Sequence, residues 1–336
     1  MLLVIGIAIV VSNYAQPARD NNQHRSNGYD NVKSTNSTKI MKLKVSFKRD
    51  RLTLVGNLFT PENFDEKSQY KAIIVQGSAT SVKEQMSELY AQKFANEGFV
   101  VLAFDYSHYG ESEGQPRQLE NPATKLSDLE AAVSYLTSLP YVKTIGIVGV
   151  CTSAGNAAYL AANDPRIKAI ATIAGYLPEP SLLSSLFGEA EVTRRREAAA
   201  TAKRKFEQAG EETTVTAYSE TDPSAANFAP TAGVYDYYLN KKRGAVPEWK
   251  NELAVMSWET FQDFDPISKA SAIKVPVMVV HSDGSAFPDQ VKKFYSLLQG
   301  KKELVWADGY HFDYYDQPAQ VDNAVKNVTR FFNKHL

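Results

Sequence analysis

The stretch Gly149-Val150-Cys151-Thr152-Ser153-Ala154-Gly155 carries the clearest chemical pattern in the chain. It follows the apolar run Thr144-Ile145-Gly146-Ile147-Val148 and leads into a helix-forming segment of small residues, Ala154 to Asn163. A strand that turns tightly into a helix holds the residue at its apex in strained dihedrals. It needs small residues two places before and two places after, the G-x-nucleophile-x-G layout. The helix that follows aims its N-terminus at the apex, which favours a thiolate or an oxyanion there. Two registers fit. With Cys151 at the apex, Gly149 and Ser153 are the small flanking residues; with Ser153 at the apex, they are Cys151 and Gly155. The first keeps glycine where the turn most needs it and agrees with an apolar run that stops at Val150. Ser153 stands as the alternative nucleophile.

Cys151 is the single cysteine, so neither an intramolecular disulfide nor a multi-cysteine zinc site can form. A free cysteine is more often a small buried apolar residue than a nucleophile. Its place in the turn argues for the nucleophile and predicts a thiol that is alkylated faster than an ordinary one. There are five histidines to consider as its base. His24 and His335 lie near the ends of the chain, His108 follows an apolar run, His281 ends another, and His311 sits in Gly309-Tyr310-His311-Phe312.

The elements that must position these residues alternate. Leu43 to Phe47 and Leu52 to Leu58 have apolar residues at every second place, as in a hairpin with one buried face. Wholly apolar runs follow at Ala72–Val75, Val100–Phe104, Thr144–Val150, Ala169–Ala174 and Val275–His281, with a last strand at Glu303–Ala307. Segments of helical spacing separate them at Glu84–Glu97, Leu126–Leu139, Ala154–Asn163 and Asp289–Gln299, and Pro318–His335 closes the chain. Apolar strands between helices mean an α/β fold: a mostly parallel sheet covered on both faces, whose ligands sit at the carboxyl ends of the strands.

The combination resembles the α/β-hydrolase superfamily and, within it, the dienelactone-hydrolase-related branch, which has cysteine in the elbow. It is also similar to bacterial hydrolases related to fungal polyketide transferases. The stretches that carry the resemblance are Phe104-Asp105-Tyr106-Ser107-His108-Tyr109-Gly110-Glu111-Ser112, residues 149–155, Asp164-Pro165-Arg166-Ile167-Lys168-Ala169, Arg243-Gly244-Ala245-Val246-Pro247-Glu248-Trp249 and Phe312-Asp313-Tyr314-Tyr315-Asp316-Gln317-Pro318. They span about residue 43 to the C-terminus. The resemblance implies a nucleophile–acid–base order along the chain. It makes His311 the base. It makes Asp283 the acid, about two residues earlier in its loop than is usual, with Glu179 as runner-up. Two backbone N–H groups, of Thr152 and of Ser78, would form the oxyanion hole. No cofactor and no metal are called for.

Between about residues 176 and 272 the alternation breaks. This stretch holds a charged helix (Glu189 to Gln208), a polar loop near Thr213 to Ser224, and a segment rich in aromatic residues. A long insertion at the carboxyl edge of a sheet reads as a cap. Tyr235, Trp249 and Trp258 are the residues expected to line the substrate pocket, and Arg243 and Glu248 flank a turn that could carry polar groups into it. Ordinary peripheral packing is the plainer reading of these rings.

The whole chain has 336 residues, 43% hydrophobic and 22% charged, with a formal net charge of −1. That is globular composition without a basic field for a nucleic acid. Leu2 to Val11 is too short an apolar run to span a bilayer, which needs about 20 residues. It has the length of a signal-peptide core, so residues 1–18 are read as a signal peptide, 19–40 as a disordered linker, and the mature protein as exported. A cytoplasmic protein with a stray N-terminus is the alternative. The expected partner is a small molecule. The leading function is hydrolysis of an ester, lactone or related carbonyl compound through an acyl-enzyme. Acyl transfer by the same machinery, a prolyl-type peptidase and a non-catalytic binding protein of the same fold are the competing readings.

Overall fold

A computed structural model describes residues 40–336. The signal-peptide segment and nearly all of the linker lie outside the described residues. The chain begins with an antiparallel hairpin, β1 (Met41–Arg49) and β2 (Leu52–Thr60), turning at Asp50 in the left-handed region. Then follow β3 (Tyr70–Gln76), α1 (Met86–Asn96), β4 (Val100–Phe104), α2 (Pro122–Ser138), β5 (Val142–Val150), α3 (Thr152–Asn163) and β6 (Ile167–Ile173). After a long excursion the sheet resumes with β11 (Val277–His281), α8 (Pro288–Leu297), β12 (Lys302–Trp306), a one-turn helix α9 (Asp313–Asp316) and α10 (Pro318–His335).

The sheet has eight strands in the order β1-β2-β4-β3-β5-β6-β11-β12. β1, β2 and β4 pair antiparallel; all pairs from β4 to β12 are parallel. The parallel strands are buried on both faces: every residue of β4 and β11 is buried. That is why these strands are apolar throughout, whereas the edge strand β1, mostly exposed, alternates. In α10 the buried residues Val321, Ala324, Val325, Val328, Phe331 and Phe332 fall at helical spacing, so one stripe faces the sheet. The architecture is an α/β-hydrolase fold: a mostly parallel central sheet flanked by helices.

Between β6 and β11 the chain leaves the sheet. It forms α4 (Pro180–Phe187), the charged helix α5 (Glu189–Ala209), three short strands β7 (Thr214–Thr216), β8 (Tyr218–Ser219) and β9 (Asn227–Phe228), α6 (Asp236–Leu239), β10 (Glu252–Ala254) and α7 (Trp258–Phe261). The short strands form two small two-stranded sheets, β10 with β7 and β8 with β9. The polar loop expected near 213–224 therefore contains strands too short to show a period. β6 and β11 are adjacent in the sheet, so the excursion leaves it and rejoins it at neighbouring strands.

Candidate active site

Cys151 sits at the end of β5 with φ 55° and ψ −119°, in a region that L-residues other than glycine seldom adopt. Such a conformation costs on the order of 1–3 kcal/mol and persists only where the surroundings impose it. Here they do. The Cys151 N–H donates to Ile173 O of the neighbouring strand, and its carbonyl accepts from Ala154 and Tyr176 N–H. The turn is so tight that a Cβ placed on Gly149 would lie 2.1 Å from the Ser153 carbonyl oxygen. Only glycine fits there, which settles the register. Ser153 instead lies one residue inside α3, fully buried, with its hydroxyl 3.3 Å from Tyr106 Oη. It is a helix residue bonded to a core tyrosine, and the turn does not present it.

His311 comes from the loop after β12. Its Nε2 is 3.4 Å from Cys151 Sγ, so the sheet edge brings these two expected residues together. His281 ends β11 and is fully buried with its ring 5.3 Å from that of Trp306; burial holds it neutral, pushed down to about 3. His108 bonds the Pro116 carbonyl through Nδ1.

The expected acid is not at His311. Asp283 is 67% exposed and its carboxylate pairs with Lys292 Nζ at 3.4 Å. The reason lies in how closely the two loops approach. Gly284 forms a bridge with Tyr310, accepts from His311 N–H, and has the Gly309 carbonyl so near that a Cβ on Gly284 would lie 2.4 Å from it. Ser282 Oγ bonds both Ser285 Oγ and the Gly309 carbonyl. With the backbones locked together, the space at the imidazole is filled by a backbone amide: Ala286 N–H donates to His311 Nδ1 at 3.2 Å. Asp283, at the bend, faces solvent. Glu179 is not near the histidine either; it accepts from Lys293 Nζ and Ser181 Oγ.

This backbone donor fixes the ring's proton. Burial pushes His311 down to about 4, so the ring is neutral. With Nδ1 accepting, the proton is on Nε2. Burial also raises the Cys151 thiol above its ordinary range, against hydrogen bonds from Tyr315 and Thr152 that lower it. The sulfur is 7% exposed as a residue, and desolvation outweighs the helix N-terminus. The resting pair is thus thiol and neutral imidazole, not the reactive thiolate the sequence predicted.

Tyr315 went unnoticed in the sequence. Its hydroxyl is 3.1 Å from His311 Nε2 and also hydrogen-bonds the Cys151 sulfur. It lies on α9, four residues after His311, which is in the turn that leads into that helix. Thr152 Oγ1 is 3.6 Å from the sulfur and accepts from Ala79 N–H, so the residue after Cys151 and the turn holding Ser78 meet at the elbow. The Ser78 hydroxyl is turned toward the excursion, 2.5 Å from Tyr238 Oη.

The excursion packs over this edge. Trp249 donates Nε1–H to Thr80 O and stands near Tyr238; Tyr235 is fully buried against Tyr218 and Phe312. These two rings belong to an aromatic stack that includes the pair Tyr218–Tyr238, centroids 3.9 Å apart. Trp258 differs. It borders a small cavity of about 50 Å³ between Ala79, Thr80 and Tyr176 on one side and Leu183, Phe187 and Arg195 on the other. Trp258 and Arg195 also border an outer cleft of about 930 Å³ between α5 and residues 213–225. Arg243 is occupied by Asp316 and Asp236, bracing α9.

The family model for the dienelactone hydrolase family matches residues 54–225. The uncharacterized protein PA2218 of Pseudomonas aeruginosa is 31% identical over 312 residues, covering 89% of this chain and 82% of that one. Its crystal structure aligns with a TM-score of 0.78 at 28% identity, over 94% of this chain and all of that one. The uncharacterized protein YcjY of Escherichia coli is 45% identical over 139 residues, which are 40% of this chain and 45% of that one, so this match spans less than half of that relative. A thiohydrolase, aneE, of Aspergillus aculeatus is 26% identical over 268 residues, 76% of this chain and 81% of that one. Taken with a strained elbow at the end of a parallel strand, these likenesses leave one assignment: the chain belongs to the dienelactone hydrolase family.

Proposed function

We propose that the protein hydrolyses an ester, lactone or thioester through an acyl-enzyme formed on Cys151. The observation that carries this reading is the 3.4 Å approach of Cys151 Sγ to His311 Nε2 at the apex of a strained turn. The sulfur attacks the substrate carbonyl and expels the alcohol or thiol; water then attacks the acyl-sulfur bond and releases the acid. Negative charge on the carbonyl oxygen is met by backbone N–H groups at Thr152 and in the 76–79 turn.

For His311 to take the thiol proton on Nε2, its own proton must lie on Nδ1. The Ala286 N–H must then turn away from that nitrogen. A small movement of the 282–287 turn is part of this reading, and substrate binding is its natural trigger. Tyr235, Trp249 and Trp258 are proposed to shape the acyl site, Trp258 directly, Trp249 by holding the loop at Thr80, and Tyr235 by packing against Tyr218 and Phe312. Export after removal of an N-terminal signal peptide is proposed for the chain as a whole.

Acyl transfer to an acceptor other than water is a second reading, favoured by the burial of the sulfur beneath aromatic residues. The test is a panel of aryl esters, thioesters and lactones with the purified protein and with Cys151→Ala. Intact mass should show the acyl group on the wild-type chain and none on the variant. Turnover that survives in Cys151→Ala would overturn the reading. Product ratios with an added alcohol or amine distinguish hydrolysis from transfer.

A further inference from the structure

The donor order at the site can be read as a chain. The Ala286 N–H donates to His311 Nδ1, at 3.2 Å. The ring's proton is therefore on Nε2, which faces Tyr315 Oη at 3.1 Å, nearer than the sulfur at 3.4 Å. Nε2–H donates and the phenol oxygen accepts. A phenol that accepts there has its own O–H free to donate, and the Cys151 sulfur, 3.4 Å from the same nitrogen, is its neighbour there. Packing fixes the Tyr315 ring. Its ring is held edge-on by Tyr237, with centroids 4.9 Å apart, and by Phe312, at 5.2 Å. Asp316, the next residue, is held by Arg243 through two hydrogen bonds.

We propose that Tyr315 is the third member of the nucleophilic unit. It accepts from His311 Nε2 and donates to Cys151 Sγ, on the side of the imidazole opposite to where a triad carboxylate would act. When the thiol ionises, its S–H bond breaks, the electron pair stays on sulfur, and the proton goes to Nε2 once the ring's proton is on Nδ1. The Tyr315 O–H then donates to a full negative charge, a stronger hydrogen bond than to the neutral thiol. The hydroxyl thus favours the reactive form of a sulfur whose burial disfavours it. This rests on reading Cys151 as the nucleophile.

The test uses alkylation of Cys151, which needs no substrate and reports on one site because the chain has one cysteine. In Tyr315→Phe the iodoacetamide rate near neutral pH should fall roughly tenfold, and its rise with pH should move up by about one unit, as expected for a lost hydrogen bond to a charged group. Tyr90→Phe is the control: a fully buried tyrosine whose hydroxyl donates to Tyr314 O and does not bond the sulfur. An unchanged or faster rate in Tyr315→Phe would overturn the proposal, and so would an equal fall in Tyr90→Phe. Should Tyr315→Phe not fold, the nitrogen chemical shifts of the His311 ring in the wild-type protein decide. A protonated Nε2 with bare Nδ1 is expected; the opposite tautomer removes the bond that Tyr315 accepts. Failure of the acyl-enzyme reading alone would leave these alkylation and tautomer results standing.

Discussion

At Cys151 two influences act in opposite directions. The N-terminus of α3 and hydrogen bonds from Tyr315 and Thr152 favour a thiolate, and loss of water disfavours it. The larger effect is burial, so alkylation of the wild-type protein near neutral pH should be no faster than that of a small free thiol. Its rate should climb only as pH rises through and beyond the ordinary thiol range. A rate well above a free thiol's would show that a thiolate is already present at rest. His311→Ala should lower turnover about as far as Cys151→Ala, and the double variant little further, because the two act as one unit. Asp283 gives the sharper discrimination. A carboxylate that fixes the histidine's tautomer in a triad is worth about 10⁴ in kcat. With Asp283 on Lys292 in solvent, Asp283→Asn should change kcat by less than about threefold, on the scale of an exposed ion pair. A loss near the triad value, measured on any substrate found in the panel, would mean that the turn swings Asp283 onto Nδ1 during turnover. The meeting of Cys151 and His311 was legible because a G-x-Cys-x-Ser turn and a histidine after the last strand are local patterns. The acid was not. Whether a loop presents a carboxylate or a backbone amide depends on how closely two loops pack, here at Gly284 and Gly309. Tyr315 escaped notice for a different reason: in a stretch with so many aromatic residues, nothing local marks the one whose hydroxyl meets His311 Nε2.

At the scale of elements, the elbow is a junction of β5 and α3 that only small residues permit. Gly149→Ala should destabilise the fold by about 3 kcal/mol or more, because the added carbon would press on the backbone at Ser153 rather than on a movable side chain. Denaturant unfolding would measure it, and a loss under about 1 kcal/mol would mean the turn can relax. The sheet's strands were readable because burial on both faces makes them apolar throughout. The short strands of the excursion were not, since two or three residues carry no period. In that region Trp258 borders both the inner cavity and the outer cleft, whereas Trp249 holds the Thr80 loop. Trp258→Ala should therefore change the ratio of kcat/KM between small and large acyl groups by about tenfold, the scale of roughly 1–3 kcal/mol for a lost hydrophobic wall. Trp249→Ala should lower activity on all substrates alike. Equal losses from both variants across the series would remove Trp258 from substrate selection.

For the whole molecule, buried histidines tie stability to pH; burial lowers His108 too, and lowers His281 and His311 furthest. His281 is held down to about 3 and His311 to about 4, both below the 6.5 of an exposed imidazole. A histidine lowered in the folded state is protonated first in the unfolded chain. Its contribution is fully present above about pH 6.5 and is lost as pH falls toward the folded values. The denaturation midpoint should fall on acidification through that window, and His281→Asn should flatten the fall without removing the Cys151–His311 contact. A midpoint that stays level between those limits would mean that neither ring is kept neutral by the fold.

A cysteine whose thiol form is favoured by burial has one more consequence. Peroxides and disulfides attack thiolates, and oxidation beyond the sulfenic acid is irreversible for most cysteines. Cys151 has no second cysteine in the chain to form a disulfide and rescue a sulfenic acid. The arrangement that makes the resting site slow to react thus also makes it durable. Burial thus spares the thiol that the proposed acyl-enzyme would need.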